Sequence, residues 1–259
     1  VELSPPRGGF HVTPGGDTHR IQCAEVWGGI RDEFRDVCTG SITASLFSAS
    51  SDGGKGGDIY YLSVCDKDEL TRVALVDVAG HGTVASEASE WLYEILARRM
   101  NDLDSHEVLG ELNAKLAARG YSAMATAVVA GFLKEGERLL LSYAGHHPVY
   151  VRPRDGESWR VAGLEAQRLP LGVVETTTYA QACVPLSSGD RVFLYTDGVP
   201  ETPDSEGDLF GAERLLSVLD AHTGDGLSDL RSAVIDSLQT HSGGSLSHDD
   251  VTVMVVEVN

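Results

Sequence analysis

Four aspartates stand where an apolar run meets glycine or a polar turn: Asp58 in GGDIYYL, Asp77 in VALVDVAGHG, Asp197 in LYTDGV and Asp249 in SHDDVT. A lone carboxylate beside a buried strand is costly unless it is paired or bound to a cation. Four brought together repel one another, and their pKa values rise unless positive charge is supplied. Divalent cations supply it, and oxygen donors without clustered His or Cys favour Mg or Mn over zinc. Two such ions sharing a carboxylate lower the pKa of a bound water and stabilise charge on a phosphoryl group under in-line attack. Phosphate-ester hydrolysis is therefore the chemistry these residues suggest. Taken alone, each aspartate is more simply a turn or cap residue, and spacing does not show that the four converge.

The elements that must hold these residues show in the hydrophobic periodicity. Residues 73–78 are apolar except for Asp77, the pattern of a strand buried on both faces. Gly80 and Gly82 flank His81 and allow a tight turn before a helical pattern opens. Asp58 closes the glycine-rich stretch SDGGKGGD, expected as a loop, and leads into a strand over IYYLSV. Further strands are predicted at 42–50, 123–134, 138–144, 149–152, 179–185, 191–196 and 251–258, and helices at 84–100, 105–118, 212–220 and 227–240. The first helix carries Val84, Ala88, Trp91, Leu92, Ile95 and Leu96 along one face, with Trp91 read as core. Strands between 123 and 152 read as a meander, turning at Glu135-Gly136 and again at 145–148. Long antiparallel runs with helices inserted in pairs predict two sheets flanked by helices. Residues 1–40 are read as an N-terminal arm and entry segment, and 41–259 as one domain.

A chain of 259 residues carries one large domain with a sizeable core. The net charge is −19, from 39 acidic and 20 basic residues, and no Lys/Arg cluster tracks a phosphate backbone, so nucleic-acid binding is disfavoured. Cys23, Cys38, Cys65 and Cys183 form no CxxC pair, which argues against a zinc site or a disulfide framework and for a reduced, cytoplasmic setting. The longest apolar run falls far short of the roughly 20 residues that span a bilayer. No signal peptide is recognised, and the chain opens on Val1, which suggests an upstream regulatory region.

The ordered set GGDIYYL, DVAGHG, ATAVVAGFL, LSYAGHHPVYV, LPLGV, LYTDGVPE and SHDDVTVMVVEV resembles the metal-dependent protein phosphatase (PPM, type 2C) superfamily, and within it the bacterial SpoIIE/RsbU-type branch. The likeness covers about residues 41–258. It implies an α+β, four-layer αββα sandwich of two antiparallel β-sheets flanked by helix pairs, with two Mn or Mg ions at one edge. By the same likeness Asp77 bridges both ions and the backbone carbonyl of Val78 adds a ligand. Asp197 and Asp249 complete one ion, and Asp58 serves the other directly or through water. A water between the ions attacks phosphorus, and no covalent phosphoenzyme forms. His81, in the motif turn, is a candidate general acid, set against a purely structural role. The implied substrate is a protein phosphorylated on serine or threonine, of the anti-sigma-factor-antagonist type, in a bacterial signalling switch under an upstream domain or partner.

The sequence departs from that pattern in places. Tyr61 stands where the branch has a second acid in GGDxYD, so an outer contact to the second ion is expected to be missing. No arginine lies near Asp58, which leaves Lys55 as a candidate phosphate ligand, with a solvated loop lysine as the plainer reading. His146 and His147 are adjacent in a turn, and such pairs rarely chelate one ion, so a packing or surface role is expected. Two other functions fit the chain: a non-catalytic binding module, signalled by Tyr61 but opposed by four intact aspartates, and a hydrolase of small phosphoesters. No GxxxxGK[ST] loop supports nucleotide binding of that type.

Overall fold

The computed structural model describes residues 18–51, 53–80, 83–119, 124–134, 137–244 and 246–259. The first half of the chain forms β1 (His19–Arg20), β2 (Val26–Arg31), β3 (Glu33–Cys38), β4 (Ile42–Ala49), β5 (Lys55–Val64), β6 (Leu70–Val78), α1 (Thr83–Arg98) and α2 (Ser105–Ala117). The second half forms β7 (Ala125–Leu133), β8 (Arg138–Ala144), β9 (Val149–Arg152), β10 (Arg160–Ala162), β11 (Ala182–Pro185), β12 (Arg191–Tyr195), α3 (Gly211–Ala221), α4 (Leu227–Ser242) and β13 (Val251–Val258).

Period-two alternation places one set of side chains between two sheets and the other set under helices. One sheet runs β1-β3-β4-β13-β12-β9-β10 and the other β11-β8-β7-β6-β5-β2. Leu46, Leu62, Leu75, Val128, Leu194 and Met254 fill the space between them. Ile59, Val76 and Val129 point outward from the second sheet to meet Leu92, Leu96, Leu109 and Leu112 of α1 and α2. Phe193, Val253 and Val255 leave the first sheet on its outer face to meet Leu215, Leu219, Val234 and Leu238 of α3 and α4. The expected four-layer sandwich is observed, antiparallel apart from the two-residue parallel contact of β1 with β3.

Several expectations need correction. Within the segment expected as an arm and entry, residues 19–38 carry strands: β2 pairs with β5 in one sheet and β3 with β4 in the other. These edge strands are only half-buried, which blurs their alternation. The expected meander breaks at the turn of residues 145–148: β8 pairs with β7, whereas β9 crosses to the other sheet and pairs with β12 and β10. The strand expected over 179–185 is confined to 182–185. The turn at Glu135-Gly136 lies outside the described residues.

Helix α1 buries Ala88, Leu92, Ile95 and Leu96 of the face expected for it, but Val84 is 69% exposed, and Ser86 and Ser89 are buried beside that face. Their hydroxyls donate to the carbonyls of Lys55 and Gly57 at 2.8 Å, which latches α1 onto the first residues of β5. Trp91 is half-buried, with the Arg119 guanidinium 3.9 Å above its ring. Across the same layer, fully buried Arg72 donates to the carbonyls of Arg99 and Asp102 where α1 hands over to α2. Arg72→Ala is expected to lower the urea-derived unfolding free energy by about 3 kcal/mol, two charge-assisted hydrogen bonds at the low end of their usual range. A loss below about 1 kcal/mol would show that the α1–α2 junction does not depend on them.

Among the described residues, no helix is long and apolar enough to cross a membrane, and all four cysteines are free.

Candidate active site

The carboxylates are assembled at one end of the sandwich by strand register. Asp58 in β5 lies directly opposite Asp77 in β6. Both share the inward face with Tyr60 and Leu75, so two acids point into the end of the apolar layer. From the opposite sheet, Thr196 follows β12 and Thr252 lies in β13, and each donates its hydroxyl to Oδ2 of Asp58 at 2.7 Å. Asp58 is thereby only 4% exposed and fixed in orientation.

Asp197 comes one residue after Thr196, and Asp249 sits on the exposed approach to β13. With Asp77, they line an open cleft of ≈ 430 Å³ whose other walls include Val78, Gly80, Met124, Thr126 and His248. Burial, followed by repulsion from Asp58, Asp197 and Asp249, holds the Asp77 carboxyl far above the ordinary carboxylate range. Burial also raises Asp58, although the Thr196 and Thr252 hydroxyls pull it back. Asp197 is raised by burial and by repulsion from Asp249 and Glu201.

Close backbone packing supports this arrangement. A side chain on Gly57 would place its Cβ 2.8 Å from the Val78 carbonyl oxygen, and one on Gly198 would collide with the Asp250 carbonyl. Gly57, expected in a loop, therefore lies within β5 at a point where only hydrogen fits, whereas a side chain on Gly53 or Gly54 would meet nothing. Asp250 itself ties the segments together. Its Oδ1 accepts from the Ser51 amide at 2.8 Å, and its Oδ2 accepts from the Gly57 amide. His248 contacts the Gly198 carbonyl through Nε2 at 3.0 Å.

Of the residues singled out in the sequence, Asp58, Asp77, Val78, Asp197 and Asp249 are brought together. Lys55 is not: it heads β5 with its ammonium ion-paired to Glu90 of α1, away from the cleft lining. His81 lies outside the described residues. Tyr61 requires a correction, since three residues along a strand from Asp58 place it on the opposite face and roughly 10 Å away. It is buried under α1, edge-on to Tyr93 with centroids 6.1 Å apart, and it owes the carboxylates no contact. Thr196, Thr252 and Asp250 escaped the sequence reading. The alternation of VTVMVVEV pointed Thr252 inward, but nothing in one strand reveals an acceptor supplied by the other sheet.

Among the described residues, no group of three or more His, Cys, Asp or Glu side chains is closed to chelating distance. The donor chemistry nevertheless fits hard cations. The set is all oxygen, it sits at an open cleft, and the repulsion that raises these pKa values is what a divalent ion removes.

Residues 67–259 match the profile described as Stage II sporulation protein E (SpoIIE), well over half of the chain. The chain belongs to the SpoIIE family. Its likeness within the family is to phosphoserine phosphatase RsbU of Bacillus subtilis, 27% identical over 87% of this chain and 64% of that protein. The chain thus spans less than two thirds of that relative's length. The PP2C-type fold of the family is shared with the SiaA-PP2C domain of Pseudomonas aeruginosa, at a TM-score of 0.72 and 21% identity over 83% of this chain and 85% of that one. The catalytic domain of the serine/threonine protein phosphatase PstP, solved in complex with two manganese ions, superposes at a TM-score of 0.59 with 21% identity, covering 84% and 98% of the two chains. Both structural likenesses show the fold alone.

Proposed function

We propose that this SpoIIE-family chain removes phosphate from phosphoserine or phosphothreonine on a protein, using two Mn or Mg ions held by Asp58, Asp77, Asp197, Asp249 and the Val78 carbonyl. One observation carries the reading: acids from both sheets converge, through strand register and cross-sheet hydroxyls, on one open cleft to which they offer hard oxygen donors. Bound cations supply Lewis-acid polarisation of the phosphoryl oxygens and lower the pKa of water at the cleft. The residues of the chain do the rest. Thr196 and Thr252 orient Asp58, Asp250 holds the Ser51 and Gly57 backbone against the site, and Gly57 lets the Val78 carbonyl reach it.

Likeness to a phosphoserine phosphatase supports a phosphoserine substrate, and the substrate class we propose is a protein of the anti-sigma-factor-antagonist type, met in the cytoplasm as part of a signalling switch. The openness of the cleft suits a phosphorylated side chain carried on a larger partner. Tyr61 no longer favours a non-catalytic module, because it faces α1 and not the acids.

The test is phosphate release from a phosphoserine peptide with Mn, with Mg and with chelator. Turnover is expected only with metal, and faster on the peptide than on small phosphoesters. Preference for small esters would move the chain to the hydrolase reading, and tight Mn binding without turnover would move it to the binding-module reading. Trapping with an Asp77→Asn variant then identifies the protein substrate; recovery of unrelated phosphoproteins alone would count against the antagonist class.

A further inference from the structure

We infer that His146 is a positioning residue: its Nδ1 accepts a hydrogen bond from the Thr126 hydroxyl, so that the Thr126 oxygen presents its lone pairs to the carboxylate cleft and accepts a hydrogen bond from a water there. The role of that water in hydrolysis rests on the phosphatase reading, whereas the His146–Thr126 arrangement stands on geometry. Thr126 lies in β7 directly opposite Asp77 and lines the cleft. Its Oγ1 is 2.7 Å from Nδ1 of His146, a side chain only 1% exposed.

The ring has little freedom. His146 sits on the turn that crosses between the sheets. The Gly145 amide donates to the Arg168 carbonyl at 2.8 Å, and Gln167 Nε2 donates to the His146 carbonyl at 2.9 Å. Gly145 takes a φ of +68°, and any side chain there would run into Pro170. Beyond the turn, His147 stacks on Tyr195 with centroids 5.4 Å apart.

Which ring nitrogen carries the proton follows from its surroundings. Burial, with His147 beside it, pushes His146 down to about 3, so the ring is neutral and has one donor and one acceptor nitrogen. Nε2 is buried and has no hydrogen-bond partner among the described residues, while Nδ1 is already engaged by Thr126, so the Tyr195 carbonyl beside the ring is left to Nε2. A lone pair on Nε2 would gain nothing from that carbonyl. The proton therefore belongs on Nε2, and Nδ1 accepts from Thr126. An apolar side chain of similar size would fill the same space with no unsatisfied nitrogen, so packing alone does not account for a histidine.

The consequence lies in the cleft. With its proton committed to His146, Thr126 has only lone pairs to offer outward. A water that donates one hydrogen to Thr126 turns its own lone pairs toward the middle of the cleft, the orientation a nucleophile needs.

Long-range proton–nitrogen NMR on the metal-free protein tests the arrangement. It is expected to show His146 neutral with the proton on Nε2, and Thr126→Val is expected to shift the Nδ1 resonance to that of a free acceptor without changing the tautomer. With Mn and a phosphoserine peptide, Thr126→Val and His146→Leu are each expected to lower kcat by about 10–100-fold, the usual effect of removing an outer partner. KM is expected to stay within about threefold, and calorimetric Mn affinity within about tenfold. Thr126→Ser keeps the hydroxyl, and His146→Asn keeps an acceptor near the Nδ1 position, so both are expected to retain most of kcat. The Thr126→Val/His146→Leu double variant is expected to be no slower than Thr126→Val alone. A proton found on Nδ1, or wild-type kcat in Thr126→Val, overturns the inference. If the wild-type chain shows no turnover, the phosphatase reading fails, and the NMR tautomer and shift still decide whether His146 orients Thr126.

Discussion

Asp77→Asn is expected to lower metal-dependent phosphate release by at least about a thousandfold, several kcal/mol of lost transition-state stabilisation. The substitution preserves shape and removes the one carboxylate that faces Asp58 across the strand pair while lying close enough to Asp197 and Asp249 to be repelled by both. No other acid of the cleft occupies that central position. The metal-free variant should also be more stable than the wild type, because a buried group that meets three like charges is replaced by a neutral amide. An unsatisfied buried polar group costs on the order of 1–3 kcal/mol, and each kcal/mol recovered raises Tm by about 2–4 °C in a domain of this size. Loss of activity with gain of stability is the signature of a site whose charges are held for function. Activity within tenfold of wild type would remove Asp77 from the centre of the chemistry, and the binuclear reading with it.

The second large effect is a dependence of stability on pH that metal reverses. Asp58 and Asp77 are raised from 3.8 to about 8 and about 9, first by burial in both cases. A raised acid pKa means that the folded chain holds protons the unfolded chain releases. The contribution of these two groups is therefore fully present below about pH 4 and is lost as pH rises toward 8 and 9. The metal-free Tm is expected to fall across this window by more in the wild type than in an Asp58→Asn/Asp77→Asn variant, which isolates the pair from other titrating groups. Added Mn should restore stability, and more so at pH 8 than at pH 6, because ligation requires the ionised acids. Calorimetry at pH 7 in two buffers of different protonation enthalpy should report release of about one or two protons per chain on Mn binding. Identical pH profiles for wild type and double variant, with no proton release, would show that the acids are already ionised and apart.

The opposing roles of one arrangement explain both results. Without metal, strand register forces Asp58 and Asp77 together, and protonation relieves the repulsion. The Thr196 and Thr252 hydroxyls cannot compensate alone, since they touch only Asp58.

What the sequence determined by itself was local chemistry. Alternation located β4, continuous apolar runs located β6 and β13, period 3.6 located the four helices, and the positions of Asp58, Asp77, Asp197 and Asp249 at strand ends followed from those patterns. Motif order then carried the family likeness, because motifs are strings of near neighbours. What needed the tertiary structure was everything set by contact between distant segments. Edge strands β2 and β3 are half-buried and lack a clean alternation, so only their pairing reveals them. The crossing at residues 145–148 looks like an ordinary hairpin turn until β9 is seen in the other sheet. Tyr61 looked like a missing ligand in a linear motif, yet an odd spacing along a strand turns it to the other face. Lys55 looked available until α1 brought Glu90 to it. The threonines that orient Asp58 and the histidine that orients Thr126 are invisible to spacing because each meets its partner across the sandwich or across strands. Hydrogen bonds between sheets depend on which residues face inward at the same height, and that is decided only when the two sheets pack.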